Sequence, residues 1–471
     1  MNGELSTVTR TADLGRVHFI GIGGAGMSGI ARILLARGAA VSGSDAKDSA
    51  SVAQLREAGA QVWIGHHAEN VDDVDTVVVS SAIRPNNPEL QRARERGLRV
   101  LHRSEALASA MAQDTVVAVA GTHGKTTTTA MIAVVLRGAG LDPSFAVGGN
   151  VPALGVNAAA GSSGIFVAEA DESDGSFLNY RPRIEVLTNA EPDHLDHYGT
   201  AEAVMAAFTA FIGLLPPEGL LVACADDEGA LALAEQAEAA GKRVVGYGRA
   251  ASARVRLIGT DLEFDGPTGR RSLPLELQVP GEHNALNAAA AFAVATELGV
   301  APETALAGLA GFTGADRRFQ LKGEASGVRV FDDYAHHPTE LRAALAAART
   351  VASGHRVLVL FQPHLFSRTR EFATEFGQAL GWADAAVVLD VFPAREDPIP
   401  GVDGGLITAT DPALVFQPDR EAAIALLAAQ ARPGDIVLTI GAGDVTEAGQ
   451  ALLLALRAAG TPAAGGRFHG G

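Results

Sequence analysis

The segment Ala120–Thr129, AGTHGKTTTT, holds the residue types that a phosphate-binding loop needs. Bare glycine amides can cradle phosphate oxygens, a lysine can meet the terminal phosphates, and a hydroxyl can reach Mg²⁺. Gly121, Gly124, Lys125 and Thr126 supply these, with Thr122, His123 and Thr127 beside them. The common G-x-x-x-x-G-K-[ST] spacing would place a glycine at 119; the chain has Val119, so the loop is a shortened G-T-H-G-K-T variant. Lysine is scarce, with Lys47, Lys125, Lys242 and Lys322 the only four among 37 basic residues, so Lys125 does not read as surface filler. The reading is an ATP site. Two acidic clusters follow, Glu169 with Asp171 and Glu172 in AEADESD, and Asp193 with His194 in NAEPDHLDH. Both end apolar runs, where a P-loop NTPase places groups that hold Mg²⁺ or orient a nucleophile; a solvated acidic loop is the alternative.

A second glycine loop, GIGGAG at Gly21–Gly26, fits G-x-G-x-x-G between a strand and a helix. Glycines there let backbone approach a diphosphate at a helix N-terminus. Asp45, ending VSGSD, stands where an acidic residue meets a ribose hydroxyl. Taken alone the loop fits a nicotinamide dinucleotide, another nucleoside diphosphate, or a tight turn without ligand.

These loops need strands to precede them and helices to follow. Short β-rich runs alternate with helical patterns in three segments, beginning at Val17, Thr115 and Val328. Continuous apolar strands alternating with helices predict an α/β protein of parallel, doubly wound sheets. The runs VRLIGTDLEFDG and SLPLELQVPG read as antiparallel or edge pieces, Ser104–Asp114 as a helix closing the first domain, and Gly311–Phe319 as a turn-rich connection. The expected domains are 1–113, 114–315 and 316–471, about the three that 471 residues suggest. The first 15 or so residues and the Gly-rich tail after Gly460 are expected to be disordered.

A net charge of −17 argues against nucleic-acid or anionic-membrane partners, which select for basic surface. Small anionic substrates must then be held by local devices. One cysteine, Cys224, rules out disulfides within the chain and thiolate metal clusters. The N-terminal residues lack an apolar core like that of a signal peptide, and the longest uncharged stretch, Pro143–Ala168, is broken by Gly, Asn and Pro. A cytoplasmic protein is expected.

In chain order, VHFIGIGGAGMSGIA, GTHGKTTTT, EADESD, TNAEPDHLDHY, PGEHNALNAAAA, DRRFQ, DDYAHHPTE and FQPH…SRTR resemble the motifs of the Mur ligases, over roughly Val17 to Gly443. The resemblance implies a Rossmann-like UDP-binding domain, a central P-loop ATPase domain, and a C-terminal Rossmann-like domain that binds the amino acid and completes the ATP site. It implies an ATP-dependent ligase joining L-alanine to the lactyl carboxylate of UDP-N-acetylmuramate, through an acyl phosphate, in peptidoglycan precursor synthesis. Carried over, Gly121 to Thr127 wrap the ATP phosphates, and Thr126, Glu169 and His194 hold two Mg²⁺ ions. Asn284 and Asn287 approach adenine, Arg318 the phosphates and Asp333 the ATP ribose. His336 and Arg368 serve the amino acid, with His337 open between a role there and simple packing. Gly23, Gly24, Ala25, Gly26, Asp45, His66 and Ser81 serve the UDP end.

The family usually reads FQPHRYSRT, whereas this chain has Leu365 and Phe366, which leaves amino-acid strictness less fixed than the reaction type. No lysine is placed for the carbamate of sister ligases. A recycling ligase of the family adds a tripeptide instead, but its first glycine loop usually departs from GIGGAGMSG, kept here. An NAD-dependent oxidoreductase leaves GTHGKT without a purpose, and a nucleotide switch ignores the third domain. The state of assembly, monomer or homodimer, stays open.

Overall fold

The computed structural model describes residues 9–266, 269–394 and 396–460. The disorder expected for the tail after Gly460 and for residues 1–8 lies outside these. Thr11–Asp13, expected in the same disordered stretch, instead form a 3₁₀ turn. The Thr11 hydroxyl anchors it by donating to the Ser109 carbonyl at 3.1 Å.

Three sheets carry the fold. The first comprises β1 (Val17–Ile20), β2 (Val41–Asp45), β3 (Gln61–Ile64), β4 (Thr76–Val79) and β5 (Arg99–His102), in the order β3-β2-β1-β4-β5. Every neighbouring pair is parallel. Strand order reverses beside β1, so the loops after β1 and β4 diverge and open a crevice at the carboxyl ends. The Gly21–Gly26 loop leaves β1 there.

The second sheet has ten strands: β6 (Thr115–Ala120), β7 (Ser144–Val151), β8 (Val156–Ala159), β9 (Ile165–Glu169), β10 (Ile184–Leu187), β11 (Leu220–Cys224), β12 (Arg243–Gly248), β13 (Val255–Ile258), β14 (Asp261–Gly266) and β15 (Gly269–Pro274). Their order is β15-β14-β13-β12-β11-β10-β6-β9-β7-β8. β6 lies between β10 and β9, parallel to both, so the phosphate-type loop and both acidic clusters leave neighbouring strand ends. The pieces expected to be antiparallel, β13, β14 and β15, pair that way, and so do β7 and β8, which the alternation of strands and helices did not predict. Pro274 ends the last of them, and Leu275–Gly281, expected to extend the strand, is outside the sheet.

In the helix Lys125–Gly138 behind the second loop, four threonines, poor helix formers, follow the opening lysine. Tertiary contacts override that preference, because this helix is buried along most of its length, and Thr129 returns a hydrogen bond to the Lys125 carbonyl at 2.8 Å. Glycines let it approach the helix Pro302–Ala310: a Cβ on Gly308 would lie 3.0 Å from Val135 Cα.

The third sheet comprises β16 (Gln320–Ala325), β17 (Val328–Asp333), β18 (Val357–Phe361), β19 (Ala385–Val388), β20 (Val415–Phe416) and β21 (Ile436–Ile440), ordered β16-β17-β21-β18-β19-β20. Both faces are covered. Val357, Val359 and Phe361 join one core with the helices Pro338–Ala352 and Phe366–Leu380. Leu358 and Leu360 join the opposite core with Arg420–Gln430 and Ala448–Gly460. The period-2 alternation of side chains thus feeds two cores, which is why this strand reads as continuously apolar.

The chain separates into two compact units, one running through Gln278 and taking in Ala285–Thr313, the other made of Val279–Asn284 and the described residues from Gly314 onward. The first unit holds the first two sheets, the second unit the third. No described helix is long and apolar enough to cross a membrane.

Within β10, Glu185 is buried and neither carboxylate oxygen has a hydrogen-bond partner among the described residues. Burial pushes its carboxyl well above the ordinary 4.5, so the folded protein keeps a proton that the unfolded chain releases. That difference subtracts stability as pH rises above about 4.5. Glu185→Leu is expected to raise stability at pH 7 by about 1–3 kcal/mol and to flatten its fall between pH 5 and 7, read from denaturant melts.

Candidate active site

The first glycine loop is shaped by close approach. Gly24 caps the helix Ala25–Ala36 with no side chain occupying the helix end, which suits an anion. Gly23 donates its amide to Asp45 Oδ2 at 2.8 Å, and a Cβ there would lie 2.9 Å from that oxygen and 3.0 Å from Val52 Cγ2. Asp45, expected at a ribose hydroxyl, is engaged in holding the loop; its Oδ1 accepts from the Lys47 amide. His66 lies just past β3 and contacts Glu89 through Nδ1 at 2.9 Å. Ser81 is exposed in the turn after β4.

The second loop folds around its lysine. Gly121 and Gly124 take φ of 130° and 84°, backbone that favours glycine, and Gly124 caps the helix that Lys125 opens. Lys125 Nζ donates to the Gly121 carbonyl at 2.7 Å, the Thr122 carbonyl at 3.2 Å and Glu172 Oε1 at 2.8 Å. Burial opposes the ammonium, but Glu172 and Asp171 outweigh it and raise the lysine above its ordinary value. Burial pushes Glu172 up to about 7 against the pull of Lys125. Thr122 is tied to Glu191 through backbone and hydroxyl, and the His123 amide donates to Asn189 Oδ1 at 2.7 Å. Thr127 is buried. Asn287 stands beside the loop, its Oδ1 only 2.8 Å from where a Cβ on Gly124 would be.

Oxygen and imidazole groups gather at the ends of β9 and β10. The Thr126 hydroxyl donates to Glu169 Oε1 at 3.0 Å, and Glu169 Oε2 accepts the Gly148 amide at 2.6 Å. His194, held at φ 56°, has Nε2 at 3.7 Å from Glu172 Oε1 and 3.6 Å from Asp193 Oδ2. Glu172 Oε2 is buried without a hydrogen-bond partner among the described residues. An orphaned carboxylate oxygen beside a hydroxyl, a second carboxylate and an imidazole fits a hard divalent cation such as Mg²⁺.

The first glycine loop and the strands β7 and β9 border an open cavity of about 110 Å³. Gly26 and Gly29 line it from the first domain; Gly148, Glu169, Asp171 and Tyr180 line it from the second. Arg103 lines it too, giving Asp171 Oδ2 a hydrogen bond at 3.1 Å while its Nη1 lies 2.7 Å from where a Cβ on Gly26 would be. Burial favours the neutral form of Asp171, but Lys125, Ser173 and Arg103 hold it below its ordinary value. Sequence reasoning missed Arg103, Tyr180 and the specific pairing of Glu172 with Lys125. The only available signal for Arg103 was an arginine directly after a strand and opening a helix.

The second unit carries the remaining expected residues. Asp333 accepts the Phe319 and Ala335 amides, each at 2.8 Å, and burial pushes it up to about 6. Its carboxylate thereby fixes the turn containing Arg318, whose guanidinium lies 5.3 Å from the Tyr334 ring centre and 3.7 Å from Glu340. His336 Nδ1 lies 3.0 Å from the Tyr334 carbonyl and 3.2 Å from Glu340 Oε2. Asn284 donates to the Pro280 carbonyl at 2.6 Å. Arg368 is buried on the helix after Leu365, which takes φ 69°. His337 is buried against Phe372 and caps its own helix.

The sequence matches three family models: Mur ligase family, catalytic domain, over 16–115; Mur ligase middle domain over 119–295; and Mur ligase, glutamate ligase domain over 317–443. The chain is 74% identical to a UDP-N-acetylmuramate–L-alanine ligase of Renibacterium salmoninarum, covering 94% of this chain and 96% of that one. It is 60% identical to the ligase of the same name from Paenarthrobacter aurescens, covering 96% and 99%. Among solved structures it resembles the UDP-N-acetylmuramate-alanine ligase of Thermotoga maritima, with TM-score 0.77, 29% identity and coverage of 94% and 99%.

Lys125→Ala is expected to weaken triphosphate binding by about 10- to 100-fold and leave UDP binding unchanged, because the two glycine loops belong to separate sheets. Calorimetry with each nucleotide on the folded variant checks this division.

Proposed function

The chain belongs to the Mur ligase family, and we propose that it is the ATP-dependent ligase that joins L-alanine to UDP-N-acetylmuramate in peptidoglycan precursor synthesis. The observation that carries this reading is the cavity at the first glycine loop, whose lining includes Glu169, the carboxylate that accepts from Thr126 of the second loop. One loop suits the diphosphate of a UDP-sugar, while the other presents Lys125 where a triphosphate ends. Within the family frame the domains are 1–113, 114–315 and 316–471. ATP and nucleotide sugars are cytoplasmic metabolites, which supports action in the cytoplasm.

A carboxylate is a poor acyl donor, because an attacking amine would have to expel oxide. The lactyl carboxylate therefore attacks the γ-phosphorus of ATP, forming an acyl phosphate and releasing ADP. The L-alanine amine adds to the acyl carbon, and the tetrahedral intermediate expels phosphate, leaving the amide. Two anions must meet in the first step, so neutralising charge dominates the barrier. Lys125 gives up its loop carbonyls and Glu172 for the terminal phosphates. Thr126, Glu169 and His194 would hold two Mg²⁺ ions, whose chemistry is charge neutralisation and orientation of the phosphoryl group. Asn284, Asn287, Arg318 and Asp333 serve the nucleotide. His336 orients the amine, and Arg368 pairs with the alanine carboxylate, a geometry that guanidinium favours.

Phosphate release with UDP-N-acetylmuramate and ATP, run over a panel of amino acids and a tripeptide, tests this reading. Release is expected with L-alanine and at lower kcat/KM with serine or glycine. Release with the tripeptide alone would overturn the assignment.

A further inference from the structure

The first domain buries a carboxylate that the reaction does not use. Glu89 occupies the second position of the helix Pro88–Glu95, is fully buried, and plays no part in capping that helix, a task done by the Asn87 side chain. Its oxygens face four side chains. Oε2 accepts from the Ser44 hydroxyl at 2.6 Å and contacts His66 Nδ1 at 2.9 Å. Oε1 accepts from Asn70 at 2.7 Å and lies 3.5 Å from His18 Nε2. Burial works to raise its pKa, but the contacts with His18, Ser44 and Asn70 win and bring it down to about 2, so it is ionised.

An apolar residue in this place would serve packing as well or better, since a buried charge is weak evidence of stabilisation. Of the two rings that Glu89 touches, His18 is fully buried and His66 is 26% exposed. His66 is also linked to the first glycine loop. The amide of its neighbour Gly65 donates to the Asp45 carbonyl at 2.8 Å, and the Asp45 carboxylate holds Gly23.

An ionised carboxylate can only accept. The Ser44 hydroxyl also lies 2.9 Å from Nδ1, but its one proton goes to Glu89, so the proton between Glu89 and His66 sits on Nδ1. In the neutral ring that leaves Nε2 as an acceptor.

We propose that Glu89 is a positioning residue for the nucleoside end of the substrate: it fixes the His66 ring and tautomer so that Nε2 accepts from a ribose hydroxyl or the imide N–H of the base. This rests on the reading of the first loop as the UDP site.

UDP is titrated into the wild type, Glu89→Gln, His66→Gln and the double variant, with nitrogen NMR of His66 and steady-state kinetics. Each single change is expected to weaken UDP by about 10-fold, and the double change no further, because Glu89 acts through His66. The loss is expected in KM for the UDP-sugar, with KM for ATP unmoved. The His66 spectrum is expected to show Nδ1 protonated in the wild type and to change in Glu89→Gln. Additive losses, equal UDP affinity in wild type and Glu89→Gln, or an Nε2-protonated wild-type ring would each overturn the proposal. The wild-type spectrum decides even if the variants fail to fold. A wild-type protein that binds no UDP would instead overturn the substrate reading itself.

Discussion

A buried ammonium facing a buried carboxylate is the constraint around which the first unit is arranged. Lys125 and Glu172 meet at 2.8 Å with little exposure on either side. Removing two charges from water costs several kcal/mol each, and their attraction offsets that only when further hydrogen bonds complete the shell. For the lysine they do: the Gly121 and Thr122 carbonyls take its remaining protons. For the glutamate they do not, since Oε2 has no hydrogen-bond partner among the described residues. A site satisfied on one side and unsatisfied on the other is prepared to exchange partners. Triphosphate oxygens can replace the loop carbonyls, and a cation can complete the carboxylate.

The same local device underlies both glycine loops, a buried strand, a glycine turn and the N-terminus of a helix. Strand neighbours make the two copies different. After β1 the loop is backed by Asp45 from β2, which seals it by accepting the Gly23 amide. After β6 the loop lies between the ends of β9 and β10, and these deliver Glu169, Glu172 and His194. Under the proposed function one loop is a passive cradle and the other a reactive site, although both begin from glycine.

Much of the site was legible because its chemistry is local. Gly121, Gly124, Lys125 and Thr126 act through backbone conformation and short reach, both written into adjacent residues. The alternation of apolar strands with helices likewise predicted the parallel body of each sheet, since burial on both faces leaves no polar alternation, but not the antiparallel pairs β7–β8 and β16–β17. Arg103, Tyr180 and Glu89 were not legible. Arg103 and Glu89 gain their positions from Asp171 and His66, 68 and 23 residues away, and Tyr180 donates its hydroxyl to the Glu169 carbonyl 11 residues away. Asp45 shows a further role: its place at the end of β2 was legible, while the bond its carboxylate accepts from the Gly23 amide was not.

Residue order alone thus determined the fold class, the two glycine loops, the acidic strand ends and the family, because periodicity, turn chemistry and motif order are properties of neighbouring residues. Tertiary structure decided which carboxylate faces Lys125, which cation enters the cavity, and which histidine is held by a buried acid. Those choices follow from parallel strands bringing distant segments side by side, and pairing at 3 Å cannot be inferred from separation along the chain.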